Sequence, residues 1–362
     1  MAPRTAPPRR RSFSLLLVIV ALGSGCSSPT APDGDQEVLR EDQELPVLVA
    51  GGLTFKSVSV GVGHTCGITT QNEAYCWGAN HAGRLGNGTQ TDRSRPTPVG
   101  GGHRFTTIAA GGSHTCAISD EGAVFCWGPA ALSGLDPTLP DQTSPALLSD
   151  EHLFVSIDAA GAATCAVTND GQVFCWGQYP LENAMVDRSA GLEFVDVGVT
   201  TVGIPGFCVR SGVIVGLYPV CLEYRQPELW SFVCGVTTVG KAYCWENWSM
   251  TPTLLSAEVT FRTFTPFCGI TLTGDVLCGG TPDGLVTRAH PGPPLVAITD
   301  NAECGLTAVG NAYCDGALVS PDLVFESIST HDFADHRCAV ASGGAAYCWG
   351  KDRSGQLGIG DD

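Results

Sequence analysis

Seven times along this chain a cysteine is followed by another ten positions later: Cys66 and Cys76, Cys116 and Cys126, Cys165 and Cys175, Cys234 and Cys244, Cys268 and Cys278, Cys304 and Cys314, Cys338 and Cys348. One spacing repeated along a chain requires one local structure repeated along it, and units this short bury a core only by stacking on their neighbours. An eighth pair, Cys208 and Cys221, is spaced by thirteen, and with Cys26 these account for all 17 cysteines.

Each regular unit reads as an apolar strand such as "FTTIAA", a cysteine strand such as "HTCAIS", a turn such as "DEG" and a return strand such as "AVFCWG". Antiparallel register makes this testable. With Cys116 opposite Cys126, Ile118 faces Val124, and the same arithmetic pairs Ile68 with Ala74, Val167 with Val173 and Ile270 with Val276. All four are apolar pairs on one face, as a half-buried hairpin requires. Directly opposed residues at a non-hydrogen-bonded site lie about 4.5 Å apart at Cα, at the short end of the disulfide range. Zinc is the rival use of these cysteines, since His64, His114 and His336 each stand two residues before one. Structural zinc favours ligands two to four residues apart in each half-site, so the spacing favours disulfides, with the histidines as packing or surface residues and no metal bound.

Residues 1–25 read as an export signal: Arg9-Arg10-Arg11, an apolar run from Leu15 to Leu22, then small residues before Cys26. "LGSGC" resembles the bacterial lipoprotein signal, which implies lipidation of Cys26 and a place in the cell envelope, in the outer membrane or on the cell surface, with secretion as the alternative. Residues 26–44 are polar and acidic without apolar periodicity, and read as a disordered tether. The folded body is expected over 45–362. A formal charge of −17, deepened by loss of the leader arginines, argues against nucleic acid as a partner.

"GHTCGITTQNEAYCWGANHAGRLGNGT", "GGSHTCAISDEGAVFCWG" and "YCWGKDRSGQLGIGDD" resemble the repeats of the RCC1 (regulator of chromosome condensation) family, especially its secreted bacterial branch with paired cysteines. The resemblance implies an all-β fold, a seven-bladed β-propeller of four-stranded blades. The motif is strong in the first three units and the last. Between 177 and 325 the Trp-Gly after the second cysteine decays to Trp-Glu, Gly-Gly and Asp-Gly. "PVLVAGGLTFKSVSVG" aligns with "PTPVGGGHRFTTIAAG", so Pro46 to Val49 is expected to be the last strand of the last blade, closing the ring.

Apparent chemistry mostly dissolves on register. "GVTTVGKA" (Gly235 to Ala242) nearly matches a phosphate-binding loop, but it lies where the other units turn and has Ala242 in place of the magnesium-holding hydroxyl, so no nucleotide is expected. "HDFADH" (His331 to His336) reads as a surface loop entering a strand, and no nucleophile, base and acid set can be assembled from local spacing. No cofactor is expected.

The main departure from the repeat is an insertion around 197–232, which holds Cys208 and Cys221 together with Phe207, Arg210, Tyr218, Tyr224, Arg225 and Trp230. Aromatics with arginine on a disulfide-tied loop are the composition of a protein-binding hot spot. A degenerate blade with those aromatics as core is the other reading. The expected function is a lipid-anchored scaffold that binds an extracellular or envelope protein, or a surface polymer, without catalysis. A propeller lyase or hydrolase is the alternative, as is a secreted enzyme inhibitor, since a secreted bacterial inhibitor of β-lactamase also resembles the family. Guanine-nucleotide exchange, the activity of eukaryotic members, sits in the wrong compartment for a disulfide-rich chain.

Overall fold

The computed structural model describes residues 45–177, 185–204, 207–215, 218–225, 228–245, 250–266, 268–278, 286–287, 293–299, 303–331 and 333–360, with backbone only at 201–231 and 286–287. The stretches read in the sequence as an export signal and a tether, with Cys26, lie outside these residues.

Seven four-stranded antiparallel sheets follow one another along the chain as the blades of a propeller. Blade 1 runs Phe55–Val60, His64–Thr69, Ala74–Gly78 and Arg93–Pro98. Blade 2 runs Phe105–Ala110, Thr115–Ser119, Val124–Gly128 and Gln142–Ser149. Blades 3 to 7 open at Phe154, Phe194, Phe261, Leu295 and Phe325. The seven cysteine pairs stand directly opposite one another on the second and third strands. All seven are disulfide-bonded, with Cα atoms 4.0–4.1 Å apart. The four apolar pairs read from the sequence hold as well: Ile118 faces Val124, Ile68 Ala74, Val167 Val173 and Ile270 Val276.

The ring closes as the alignment of the two ends requires. Val47–Leu48 pairs with the third strand of blade 7, Val47 opposite Cys348 and Leu48 opposite Tyr347. This short strand completes a sheet whose other three strands come from the far end of the chain, and it covers an edge otherwise free to pair.

Antiparallel order gives the ring two faces, one formed by the first turns of the blades and the other by the second turns. A hydroxyl near the end of the second strand pins the second turn in six blades: Thr69, Ser119, Thr168, Thr237, Thr271 and Thr307 each accept the backbone N–H four residues on. That turn then staples the next blade. Phe105 donates its backbone N–H to the Asn72 carbonyl, Phe154 to Gly122, Phe194 to Gly171, Phe261 to Gly240, Phe325 to Gly310 and Phe55 to Gly344.

The hydrophobic core is divided among the seven seams between blades, and the tryptophan of each Cys-Trp step fills one of them. Trp77 lies in the seam of blades 7 and 1, Trp127 in that of 1 and 2, Trp176 in 2 and 3, Trp245 in 3 and 4, and Trp349 in 6 and 7. Blades 5 and 6 carry Gly279 and Asp315 at the equivalent position. The described core of the seam between them is correspondingly thin: Cys268, Ile270, Val276 and Leu295. Decay of the repeat is thus a physical thinning of one sector.

Candidate functional site

The parts of the unit that recur most closely along the chain are joints between blades. His64, His114 and His336 are fully or almost fully buried, at 0%, 0% and 2% exposure. His64 Nε2 lies 3.0 Å from Thr115 Oγ1, His114 Nε2 2.7 Å from Thr164 Oγ1, and His336 Nε2 2.8 Å from Thr65 Oγ1. Each contact joins one blade to the next. Thr115 and Thr65 spend their own hydroxyl protons on the carbonyls of Arg84 and Gln356. They therefore accept from the imidazoles, which are neutral with the proton on Nε2. Burial pushes the pKa values of His114 and His336 down to about 4, and holds that of His64 well below the ordinary histidine value. These are clasps, and among the described residues no group of three or more acidic, histidine or cysteine side chains is placed to hold a metal ion.

The glycine-rich exit after Cys-Trp-Gly serves the same joints. The carbonyls of Arg84, Gln356 and Arg188 accept the indole N–H of Trp127, Trp77 and Trp245 on the following blade, at 2.8, 2.9 and 2.9 Å. Gly86 and Gly358 lie on those indoles with φ of +68° and +70°, and a Cβ there would stand 2.8 and 2.7 Å from an indole nitrogen. Only glycine fits both the left-handed backbone and the close approach. The histidine clasps run from blade 7 through 1 and 2 to 3 and then stop, because Ala163 stands where the donating histidine would be and Val233 replaces the receiving threonine. Between blades 6 and 7 an exposed ion pair of Arg337 with Glu303, at 3.0 Å, stands in their place.

Two further sequence features are settled by position. "GVTTVGKA" forms the second turn of blade 4, with Val236 opposite Ala242. The Lys241 ammonium donates to the Ala257 and Val259 carbonyls at 2.7 and 3.1 Å, so it anchors a loop. His331 of "HDFADH" reads as a surface residue in the sequence, yet it is 6% exposed. It crosses from blade 7 to blade 3, where its Nε2 lies 3.4 Å from the Gly161 amide. On the same face the first turns of blades 1, 2 and 3 bond one another, Val62 N to Gly111 O and Gly112 N to Gly161 O. Asp332 lies outside the described residues.

Where the clasps stop, the insertion begins, and it is neither a loop nor an extra blade. In blade 1 the first two strands end their ladder at Val60 opposite Thr65. In blade 4 the equivalent pair, Val199 opposite Val233, is followed by five more, ending at Ile204 opposite Glu228. Beyond them Phe207–Val215 and Tyr218–Arg225 form a two-stranded sheet of their own. Blade 4 thus carries a long hairpin on the first-turn face. The reading of this stretch as a degenerate blade is corrected: a blade needs four strands around a shared core, and this sheet has two.

Of the residues singled out there, Trp230 stands opposite Val202, Arg210 opposite Glu223, Tyr218 opposite Val215, Tyr224 opposite Cys208 and Arg225 opposite Phe207. Cys221 stands opposite Ser211, so the backbone register does not set Cys208 and Cys221 face to face. Their side chains, and those of the five candidate contact residues, lie outside the described residues.

The architecture defines the class: a seven-bladed β-propeller whose blades are individually disulfide-stapled and jointed by buried polar clasps. The repeats that build its first blades are RCC1 repeats, because models of the regulator of chromosome condensation (RCC1) repeat match residues 55–84 and 71–118. Among solved structures the chain is similar to human WBSCR16, at 15% identity, covering 92% of this chain and 85% of that one with a TM-score of 0.53. It is also similar to the CRINKLY WD40 ectodomain of the Arabidopsis thaliana receptor kinase ACR4, at 17% identity, covering 85% of this chain and all of that one, TM-score 0.53. At such identities the likeness is one of fold. No curated protein matches the chain in sequence.

Proposed function

We propose that this protein is an exported binding scaffold, lipid-anchored at Cys26, which engages an envelope or extracellular protein through the hairpin of blade 4 without catalysing a reaction. The hairpin itself carries this reading. Five register pairs beyond the normal turn lift a separate two-stranded sheet clear of the blade. A two-stranded sheet is marginal in water on its own, so retaining one at the end of a stapled scaffold makes sense if a partner completes it. Arg210, Tyr218, Tyr224, Arg225 and Trp230 supply the aromatic and guanidinium groups that dominate binding energy in protein interfaces. The buried, neutral histidines are taken up by blade joints, which leaves them no part in acid–base chemistry.

Excision tests the reading. Replacing residues 200–232 by the four-residue turn of blade 1, Gly61 to His64, is expected to leave the propeller folded. A photo-crosslinking residue at Tyr218 or Tyr224 of the intact protein, irradiated in its native cells, is expected to capture one partner that the excised protein does not retain on affinity purification. Equal retention of that partner by the excised protein would overturn the assignment of the hairpin.

A further inference from the structure

The second-turn face, opposite the hairpin, is polarised. At the turn tips blades 1, 2, 3 and 7 present polar residues or glycine: Thr70 and Gln71, Asp120 and Glu121, Asn169 and Asp170, Ser342 and Gly343. Blades 4, 5 and 6 each present an aliphatic side chain there instead, Val239, Leu272 and Val309, at 72%, 61% and 70% exposure. A turn tip has no core to fill, and one exposed aliphatic at this tip on each of three successive blades traces an arc along one side of the face, whereas aliphatics scattered over the surface would need no explanation. The arc runs beside a groove between blades 3 and 4, a cavity of ≈ 420 Å³ lined by Val155, Val195 and Phe194 with Asp170 and Glu193 among its walls. Val155 and Val195 are 56% and 49% exposed.

Charge identifies what fits. Exposed carboxylates border the arc at Asp170, Glu193, Glu258, Asp275 and Glu326, and Arg262 is the exposed cation among them. Lys241 is committed to the Ala257 and Val259 carbonyls. An aliphatic strip bordered by carboxylates repels an anionic bilayer and is complementary to a chain segment with apolar residues flanked by Lys or Arg.

We infer that the groove between blades 3 and 4, with the aliphatic turn tips of blades 4 to 6, is a second docking surface, and that it takes a cationic amphipathic segment of a partner protein. The surface is separate from the hairpin, so the two assignments fail or stand independently.

The probe is an 18-residue amphipathic peptide of leucine and lysine, with a leucine and glutamate counterpart and phosphatidylglycerol vesicles as alternatives. Isothermal titration of the full protein is expected to show binding of the lysine peptide that weakens at least about tenfold in the triple variant Val239→Ser, Leu272→Ser, Val309→Ser. That variant preserves net charge and changes only exposed tips, so its melting temperature is expected to match that of the parent. Asp170→Asn with Glu193→Gln is expected to weaken binding as well. The proposal is overturned if the triple variant binds the lysine peptide as tightly as the parent, which would reduce the effect to overall charge. It is equally overturned if the glutamate peptide binds as well or if the vesicles bind in its place.

Discussion

Reduction of the disulfides is expected to lower the melting temperature by tens of degrees, or to unfold the protein at physiological temperature. Each described bridge closes a loop of ten residues on neighbouring strands. In the chain-entropy model such a loop contributes about 2 to 3 kcal/mol, and seven of them exceed the net stability of an ordinary domain even when they add incompletely. The seam between blades 5 and 6, with no tryptophan in its described core, depends on them most. Thermal melts with and without a phosphine reductant check this. Hydrogen exchange on the reduced protein is expected to show blades 5 and 6 losing protection first. A melting temperature unmoved by complete reduction would mean that blade packing alone carries the fold.

Acid is expected to destabilise the ring steeply between pH 6.5 and 4. Burial lowers the folded-state pKa of His114, His331 and His336 to about 4, and His64 is lowered too. For such groups the folded state binds fewer protons than the unfolded chain. Their contribution is therefore complete above about pH 6.5 and is lost as the pH falls toward the folded values. A shift of this size is on the order of 3 kcal/mol per histidine over that window. The neighbours reinforce it, since Arg84 and His331 both disfavour a charge on His114. Asp196 works in the other direction, because burial raises its pKa and the folded state takes up its proton early. One such carboxyl does not offset four histidines. Melting temperatures across pH 7.5 to 4.5 are expected to fall, and His114→Gln, whose amide can still donate toward Thr164, is expected to flatten the slope. A profile level across that range would show that the clasps bear no proton-linked stability.

What could be read in the residues was whatever one blade determines by itself. The ten-residue spacing fixes the register of a hairpin, so the apolar pairs from Ile68 with Ala74 onward follow from arithmetic, and the likeness of Pro46–Val49 to an inter-blade strand locates the closure of the ring. What two blades determine together was not legible. The histidine two residues before a cysteine was visible as a pattern, but its meaning depends on a threonine of the next blade standing 2.7–3.0 Å away. His331 read as a surface residue for the same reason: its partner, Gly161, is 170 residues distant in the chain. The hairpin of blade 4 was masked by irregular register, which shifts between Cys208 and Arg210 and again before Ile214, so that neither a helical nor a strand period persists. The cysteine pair there, spaced by thirteen, also departs from the ten-residue spacing that fixes the register of the other hairpins.

We propose that an export leader delivers this disulfide-stapled propeller to the envelope and that a lipid on Cys26 anchors it there. Intact mass and non-reducing peptide mapping of the protein taken from its native membrane fraction test this most directly. The expected result is the seven ten-residue bridges, from Cys66–Cys76 to Cys338–Cys348, with a chain that begins at Cys26 and carries a diacylglycerol or triacyl mass. Free thiols at those positions on a chain that still begins at Met1 would contradict it, and would return the protein to a reducing compartment.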